Sequence, residues 1–561
     1  MDDDRRAINR RRFVECCAAA GVASALLPGA LAAVAQDAGV ITTDMLASAQ
    51  RIAGVSFTPD EQQRLLEKLN GPQGYAAGFA RVRSANLDAT PPAIVFNPVL
   101  PGKAPAATPR LPIRRTPLDV AIPASEELLA FLPLTHLSRL VETRRMTSTD
   151  LTKLYLARLK KHDPALHCVV SLTEEIALRQ AREADAEIAA GRYRGPLHGI
   201  PYGLKDLFAV RGTRTTWGMT AFKDRVIDAD ATVYERLTAA GAVLIAKLST
   251  GAIAVTAQWF GGVTRNPWNL QQDAAGSSAG PGAATAAGLV GFSIGSDTGG
   301  SIISPSSRNG VSGLRPTFGR VSRHGGMTLA WTQDTVGPMC RSAEDCALVL
   351  SVIQGPDGRD NSLLDVPFNW DASSDVSTLR VGYLRAAAEG PMDDDARRNE
   401  ANALRVIASL GISVVPFTLP PVPIEAIDFI RYAETSAAFA EITRAGLLAQ
   451  AEQGPEQSRR PDEIRAGHFI SAVDYLQANR YRMRVMQQMD EAFGDLDLFI
   501  GSHQPLTNRT GHPVVSIPNG FSRESPTALH FTGRLFADQQ ILRLAHAFQS
   551  RTDFHLRHPT L

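Results

Sequence analysis

The chain has 561 residues, 44% of them hydrophobic and 20% charged, with a formal net charge of +1. That length suits two to four domains with ample core, and the composition is ordinary for a globular protein. The near-neutral balance leaves no electrostatic footprint for nucleic acid or an anionic membrane surface, so partners of those classes are not expected.

Residues 1–35 read as a targeting segment. Arg10-Arg11-Arg12-Phe13 precedes an apolar run from Cys16 to Ala35, the layout of a twin-arginine export signal. Ala33-Val34-Ala35 supplies a small-residue cleavage site, which would leave Gln36 as the mature start. The run is also about long enough to span a bilayer. Its Ala and Gly content and Pro28 favour a signal over a retained anchor, and the two readings stay open. The expected location is periplasmic or secreted. No later segment offers about 18 uninterrupted apolar residues, so no stable span is expected after the signal. Cys16 and Cys17 would leave with it. Cys168, Cys340 and Cys346 remain, an odd set without zinc-site spacing, and no metal is expected.

Residues 36–124 read as a helical and Pro-rich extension. Thr58-Pro59-Asp60-Glu61 predicts a helix start, with Thr58 as cap, Pro59 at the first position and Glu61 closing a capping box. Leu65, Leu66 and Leu69 follow at helical spacing. "TPPAIVFNPVLPGKAPAATPRLPIRRTP" can sustain neither a helix nor a central strand. Its apolar "AIVF" predicts an extended segment lying over the main body.

The main body is placed at 125–561. Thr147 and Asp150 flank a helix start, followed by Leu151, Leu154, Tyr155 and Arg158 on one face. "EEIALRQAREADAEIAAG" predicts a second helix ending at Gly191. Short apolar runs follow: "GAVLIAKL", "GLVGFSIGS", "LRVGYL", "ISVVPFTL" and "LDLFIGS". Strands separated by helical stretches predict an α/β fold, a sheet with helices on its faces.

Gly276-Ser277-Ser278-Ala279-Gly280 matches G-x-S-x-G, which would make Ser278 the nucleophile of an α/β-hydrolase elbow. That motif needs a strand running into the serine. "NPWNLQQDAA" is polar and broken by Pro267, so no strand is expected there and the elbow reading fails. "SAGPGAATAAG" after it is a plausible helix.

A larger pattern surrounds the match. "GPLHGIPYGLKDLF", "TRNPWNLQQDAAGSSAGPGAATAAGLVGFSIGSDTGGSI", "GVSGLRPTFGRVSRHG", "DTVGPMCRSAEDCALVL", "TGHPVVSIPNGF" and "LHFTGRLFADQQILRLAHAF" occur in that order. Together they resemble the amidase signature family over about Leu128 to His555. The resemblance implies a large mixed β-sheet core covered by helices on both faces, no cofactor, and a Ser–cis-Ser–Lys triad. Lys205 in "GLKD" would be the base, Ser277 the relay, Ser301 in "TGGSI" the nucleophile and Ser278 a supporting group. The oxyanion hole would come from backbone N–H groups of Thr298, Gly299, Gly300 and Ser301.

The chemistry is sound on its own terms. A serine hydroxyl is a weak nucleophile until a base takes its proton. Lysine, with a reference pKa of about 10.4, is almost fully charged at neutral pH. Burial disfavours the charge, and "IPYGLKDLF" is mostly apolar around Lys205. Asp206 is adjacent in sequence, but strand neighbours point apart.

Three departures from the family pattern stand out. The usual G-G-S-S-G-G-S reads Ala275-Gly276-Ser277-Ser278-Ala279-Gly280-Pro281. Pro281 removes a donor near a helix start, where the loss is tolerated. Ile303 replaces an Arg that many members carry two residues after the nucleophile, which predicts an acyl pocket preferring neutral or apolar groups. His324, His503 and His512 show no ligand-spaced pairing and need no catalytic role.

The resulting expectation is an exported hydrolase of carbon–nitrogen bonds in small linear amides, with esters as further substrates and homodimerisation open. Two alternatives remain: the glutaminase-type chain of a tRNA-dependent amidotransferase, and a non-catalytic binding protein on the same fold.

Overall fold

The computed structural model describes residues 41–53, 55–71, 90, 92–103, 105, 108–384, 393–451 and 459–561. The export signal expected over 1–35 lies outside them. Contacts divide the chain into a unit ending at Pro91 and one running from Pro92 to Leu561.

The first unit holds two helices, α1 (Thr43–Ala53) and α2 (Pro59–Asn70). The start of α2 is as the sequence predicts: Thr58 accepts from the Glu61 N–H while the Glu61 carboxylate accepts from the Thr58 N–H. Asn70 closes the pair by bonding both backbone groups of Ile41.

The second unit is built on one sheet of eleven strands. In chain order they are β1 (Val169–Leu172), β2 (Pro201–Lys205), β3 (Val243–Leu248), β4 (Phe292–Asp297), β5 (Ser312–Arg315), β6 (Thr335–Cys340), β7 (Val381–Leu384), β8 (Val414–Phe417), β9 (Leu498–Ile500), β10 (Val514–Ser522) and β11 (Ser525–Gly533). Their spatial order is β1-β3-β2-β4-β6-β5-β10-β11-β9-β7-β8. Strands β3-β2-β4 and β9-β7-β8 run parallel, whereas the centre from β4 to β9 is antiparallel. The fold is the large mixed sheet expected.

Strands β2, β3 and β6 are buried at every residue, so both faces of the sheet are covered. The covering helices include α3 (Ser148–Leu166), α4 (Glu174–Ala189), α5 (Ala279–Ala286), α6 (Ile303–Asn309), α7 (Ala343–Ile353), α8 (Glu425–Ala438), α9 (Ala472–Phe493), α10 (Gln504–Thr510) and α11 (Asp538–Gln549). Helix α3 starts where expected, with Thr147 accepting from the Asp150 N–H at 3.0 Å. The Pro-rich segment lies along this body: Arg114 exchanges backbone hydrogen bonds with Trp370 and Ala372, and Thr116 donates to Glu344.

One local expectation is corrected. Asn269–Asp273 does form a strand, paired antiparallel with Arg265–Asn266. Its first three residues are exposed and it stands outside the main sheet, so cross-strand pairing overrides its polar composition. It is not the buried strand that a nucleophile elbow requires.

The pleat also separates two adjacent charges. Asp206 follows β2 and pairs with Lys247 of β3 at 2.9 Å, both fully buried, rather than with Lys205. Thr216 donates to the Asp206 carboxylate through its N–H and its hydroxyl. Lys247→Met should strand that carboxylate and lose about 3–5 kcal/mol in urea unfolding, and adding Asp206→Leu should recover most of the loss.

Candidate functional site

Strand β2 lies between β3 and β4 and ends at Lys205, whose side chain is fully buried. Its Nζ lies 2.8 Å from Ser277 Oγ, 2.9 Å from Ser278 Oγ and 3.0 Å from Ser296 Oγ. Ser277 and Ser278 arrive from the turn that opens α5, and Ser296 from β4. The Gly276–Ser277 peptide is cis. Burial strips the ammonium of solvent and lowers the Lys205 pKa to about 7, against the opposing pull of Asp297 and Asp334.

Ser301 sits half-buried in the turn after β4. Its carbonyl accepts from the Ser278 N–H at 3.2 Å, so Lys205, Ser277, Ser278 and Ser301 gather at one place. The turn is organised by Asp297. Its Oδ1 accepts from the Gly300 N–H and from Asn508 Nδ2, each at 2.7 Å. Its Oδ2 accepts from the Ile302 N–H at 2.7 Å. Buried Arg315 faces the same carboxylate at 3.6 Å.

This arrangement sorts the expected oxyanion donors. The Gly300 N–H is committed to Asp297. Among the described residues, the N–H groups of Thr298, Gly299 and Ser301 meet no acceptor. A Cβ on Gly299 would touch nothing within 4 Å, so that part of the turn faces open space. Gly300 has φ +114°, and a Cβ there would fall 1.8 Å from Gln504 Oε1. Glycine is required at 300 for both reasons.

Thr298 is held from its other side. Its hydroxyl donates to Asp334 Oδ1 at 2.6 Å, while Asp334 Oδ2 accepts from the N–H groups of Leu329 and Ala330. Burial raises the Asp334 pKa. The same loop is tied to the helical layer through Glu434 of α8, which accepts from the Thr332 N–H at 3.0 Å, from its hydroxyl at 2.8 Å and from Tyr475 at 2.8 Å. Arg482 of α9 donates to the Thr332 carbonyl at 2.7 Å.

Ile303 does not face the site as its sequence position suggests. It is fully buried, in an apolar cluster with Ile302, Val311, Met339 and Val514, and cannot line an acyl pocket. Position 303 lies inside α6, whose packing against the sheet claims the side chain. The polar group beside the turn is instead Ser304, whose hydroxyl donates to Gln504 Oε1 at 3.4 Å. His512 is buried with its pKa lowered to about 3 by desolvation, and its Nδ1 lies 2.8 Å from Thr510 Oγ1. Sequence reasoning misses Ser296, Asp334, Gln504 and Asn508, which lie far from the motif serines or carry common residue types. Asp297 stands inside "GSDTGG" and is the one readable signal.

Comparison with known proteins comes to the same place. The family described as Amidase matches residues 150–503. AmiD of Mycobacterium tuberculosis, which carries the name of an amidase, is 36% identical over 479 residues, covering 79% of this chain and 99% of the relative. The GatA-type chain of the glutamyl-tRNA(Gln) amidotransferase of Methylococcus capsulatus is 33% identical over 478 residues, covering 76% and 98%. The crystal structure of the peptide amidase of Stenotrophomonas maltophilia superposes with a TM-score of 0.69 at 29% identity, covering 76% of this chain and 98% of its own.

Gly276 is the most exacting position in the site. A Cβ there would fall 1.7 Å from the Thr256 carbonyl oxygen, a backbone atom with no rotamer to yield. Gly276→Ala should displace Ser277 and slow labelling by a serine-reactive phosphonate about a hundredfold or more, read by intact-protein mass spectrometry.

Proposed function

The chain belongs to the amidase signature family, and on that premise we propose that it cleaves amides through an acyl-enzyme, with Ser301 as nucleophile, Ser277 as relay and Lys205 as base. The observation that carries this reading is the buried Lys205 amine, poised near neutrality among three hydroxyls. The Ser278 hydroxyl lies 3.1 Å from the Ser296 carbonyl and donates to it. Ser278 Oγ is therefore an acceptor toward the amine, and Ser296 Oγ takes a second N–H. The lone pair of the neutral amine is left for Ser277.

The steps follow from that assignment. Lys205 takes the Ser277 proton as Ser277 takes that of Ser301, and Ser301 Oγ attacks the substrate carbonyl. The oxyanion develops where the free N–H groups of Thr298, Gly299 and Ser301 face open space. The proton returns through Ser277 to the leaving nitrogen, and the C–N bond breaks. Water then attacks the acyl-enzyme with the same relay as base. Esters of the same acyl groups share this path.

The acyl side is neutral. The side chains beside the turn, Ser304 and Gln504, are polar and carry no charge. Small neutral linear amides are therefore the proposed substrates, and neutral acyl amides should turn over faster than monoamides of dicarboxylic acids. The peptide amidase neighbour supports amide bonds of this kind. Likeness to the amidotransferase chain keeps a glutaminase reading in view, which would require glutamine turnover that depends on partner proteins. We place the mature enzyme outside the cytoplasm on the Arg10–Phe13 pattern alone.

Because the free amine is the base, kcat/KM should fall about tenfold per pH unit below a limb near pH 7 and level off above it. Ser301→Ala and Lys205→Ala should each lower amide hydrolysis by at least about a thousandfold. Wild-type rates surviving in Ser301→Ala would sink the mechanism.

A further inference from the structure

A recess of about 210 Å³ lies between α11 and the segment that follows the Arg114 bridge. Arg543, His546 and Ser550 line it at helical spacing from α11 and its end, Arg551 follows, and Asp371 and Ser374 form the opposite wall. Among the described residues, neither Arg543 nor Arg551 has a carboxylate within ion-pair distance. Arg543 is half-buried, and its Nε is shut away from solvent without an acceptor.

That is an unusual state for an arginine. A buried guanidinium N–H normally finds an oxygen, because leaving it unmade costs the desolvation of a charged group. Burial lowers the Arg543 pKa, with the Asp371 charge opposing it. Asp371 is engaged elsewhere: Oδ1 accepts from the Ser373 N–H and hydroxyl at 2.9 and 2.6 Å, and Oδ2 faces Arg114 at 3.5 Å. His546 Nδ1 faces Glu344 at 3.9 Å from the inner side. The recess thus presents two uncompensated guanidinium groups to a space large enough for a small molecule, and a guanidinium fork matches an oxyanion bidentately.

We propose that this recess binds the oxyanion of a small molecule, a carboxylate or phosphate, through Arg543 and Arg551. None of its lining residues belongs to the Lys205–Ser301 site, so occupancy is independent of the amide chemistry. The oxyanion satisfies the Arg543 Nε–H and stands in for the missing carboxylate partner.

The test is thermal unfolding and titration calorimetry of the full chain with inorganic phosphate and, separately, acetate, each against chloride at matched ionic strength. Mass action predicts a melting temperature that climbs with probe concentration above the chloride control. Arg543→Gln and Arg551→Gln should each weaken binding about tenfold, and Ser301→Ala should leave it unchanged. Phosphate alone raising the melting temperature assigns a phosphate ligand, and acetate alone a carboxylate. Equal melting curves in phosphate, acetate and chloride overturn the proposal, as does a gain that survives in Arg551→Gln, whose exposed position keeps the fold intact should Arg543→Gln fail to fold. A gain lost in Ser301→Ala would move the site to the catalytic turn and overturn it equally.

Discussion

Everything at the site depends on one amine kept out of water. Lys205 ends a strand inside the sheet, where no carboxylate touches its Nζ and three hydroxyls do. Hydroxyls satisfy the N–H groups without adding a full negative charge, so desolvation outweighs stabilisation of the ammonium. Lys247 on the neighbouring strand is buried as deeply but has Asp206 at 2.9 Å. Two lysines from adjacent strands therefore meet different fates. One is fixed as half of an ion pair, and the other is left near neutrality and able to take a proton.

Around that amine, carboxylates arrange backbone rather than do chemistry. Asp297 gathers the N–H groups of Gly300 and Ile302, the amide of Asn508 and the charge of Arg315. By consuming the Gly300 N–H it leaves the neighbouring donors free toward open space. Asp334 fixes Thr298 and the 329–334 loop together, and Glu434 carries that loop onto the helical layer. A preorganised turn needs such anchors because donors must already point where charge will develop.

Much of this was legible in the sequence, for identifiable reasons. The apolar runs at 243–248 and 292–297 are central strands that had to be buried on both faces, and they read as such. Thr58 and Thr147 are helix starts because capping is local chemistry. Lys205, Ser277, Ser278 and Ser301 stand out through motif order and do converge. What escaped was tertiary. The Asn269–Asp273 ribbon is polar and owes its strand to its partner. Ile303 stands two residues past Ser301 yet faces the core, because one turn of α6 rotates it away. Gln504 and Asn508 reach the turn from some two hundred residues downstream, and no local pattern announces that approach.

The alternation at the end of β2 carries a consequence for how such a sheet can vary. Lys205 and Asp206 are consecutive, and the pleat sends one toward the serines and the other toward Lys247. A slip of one residue against β3 would exchange them, presenting a carboxylate to the hydroxyl cluster and an unpaired ammonium to Lys247. Strand register is thus itself a catalytic parameter here. The hydrophobic pattern that lets β2 fold in only one alignment also decides which of two neighbouring ionisable groups is allowed to handle protons.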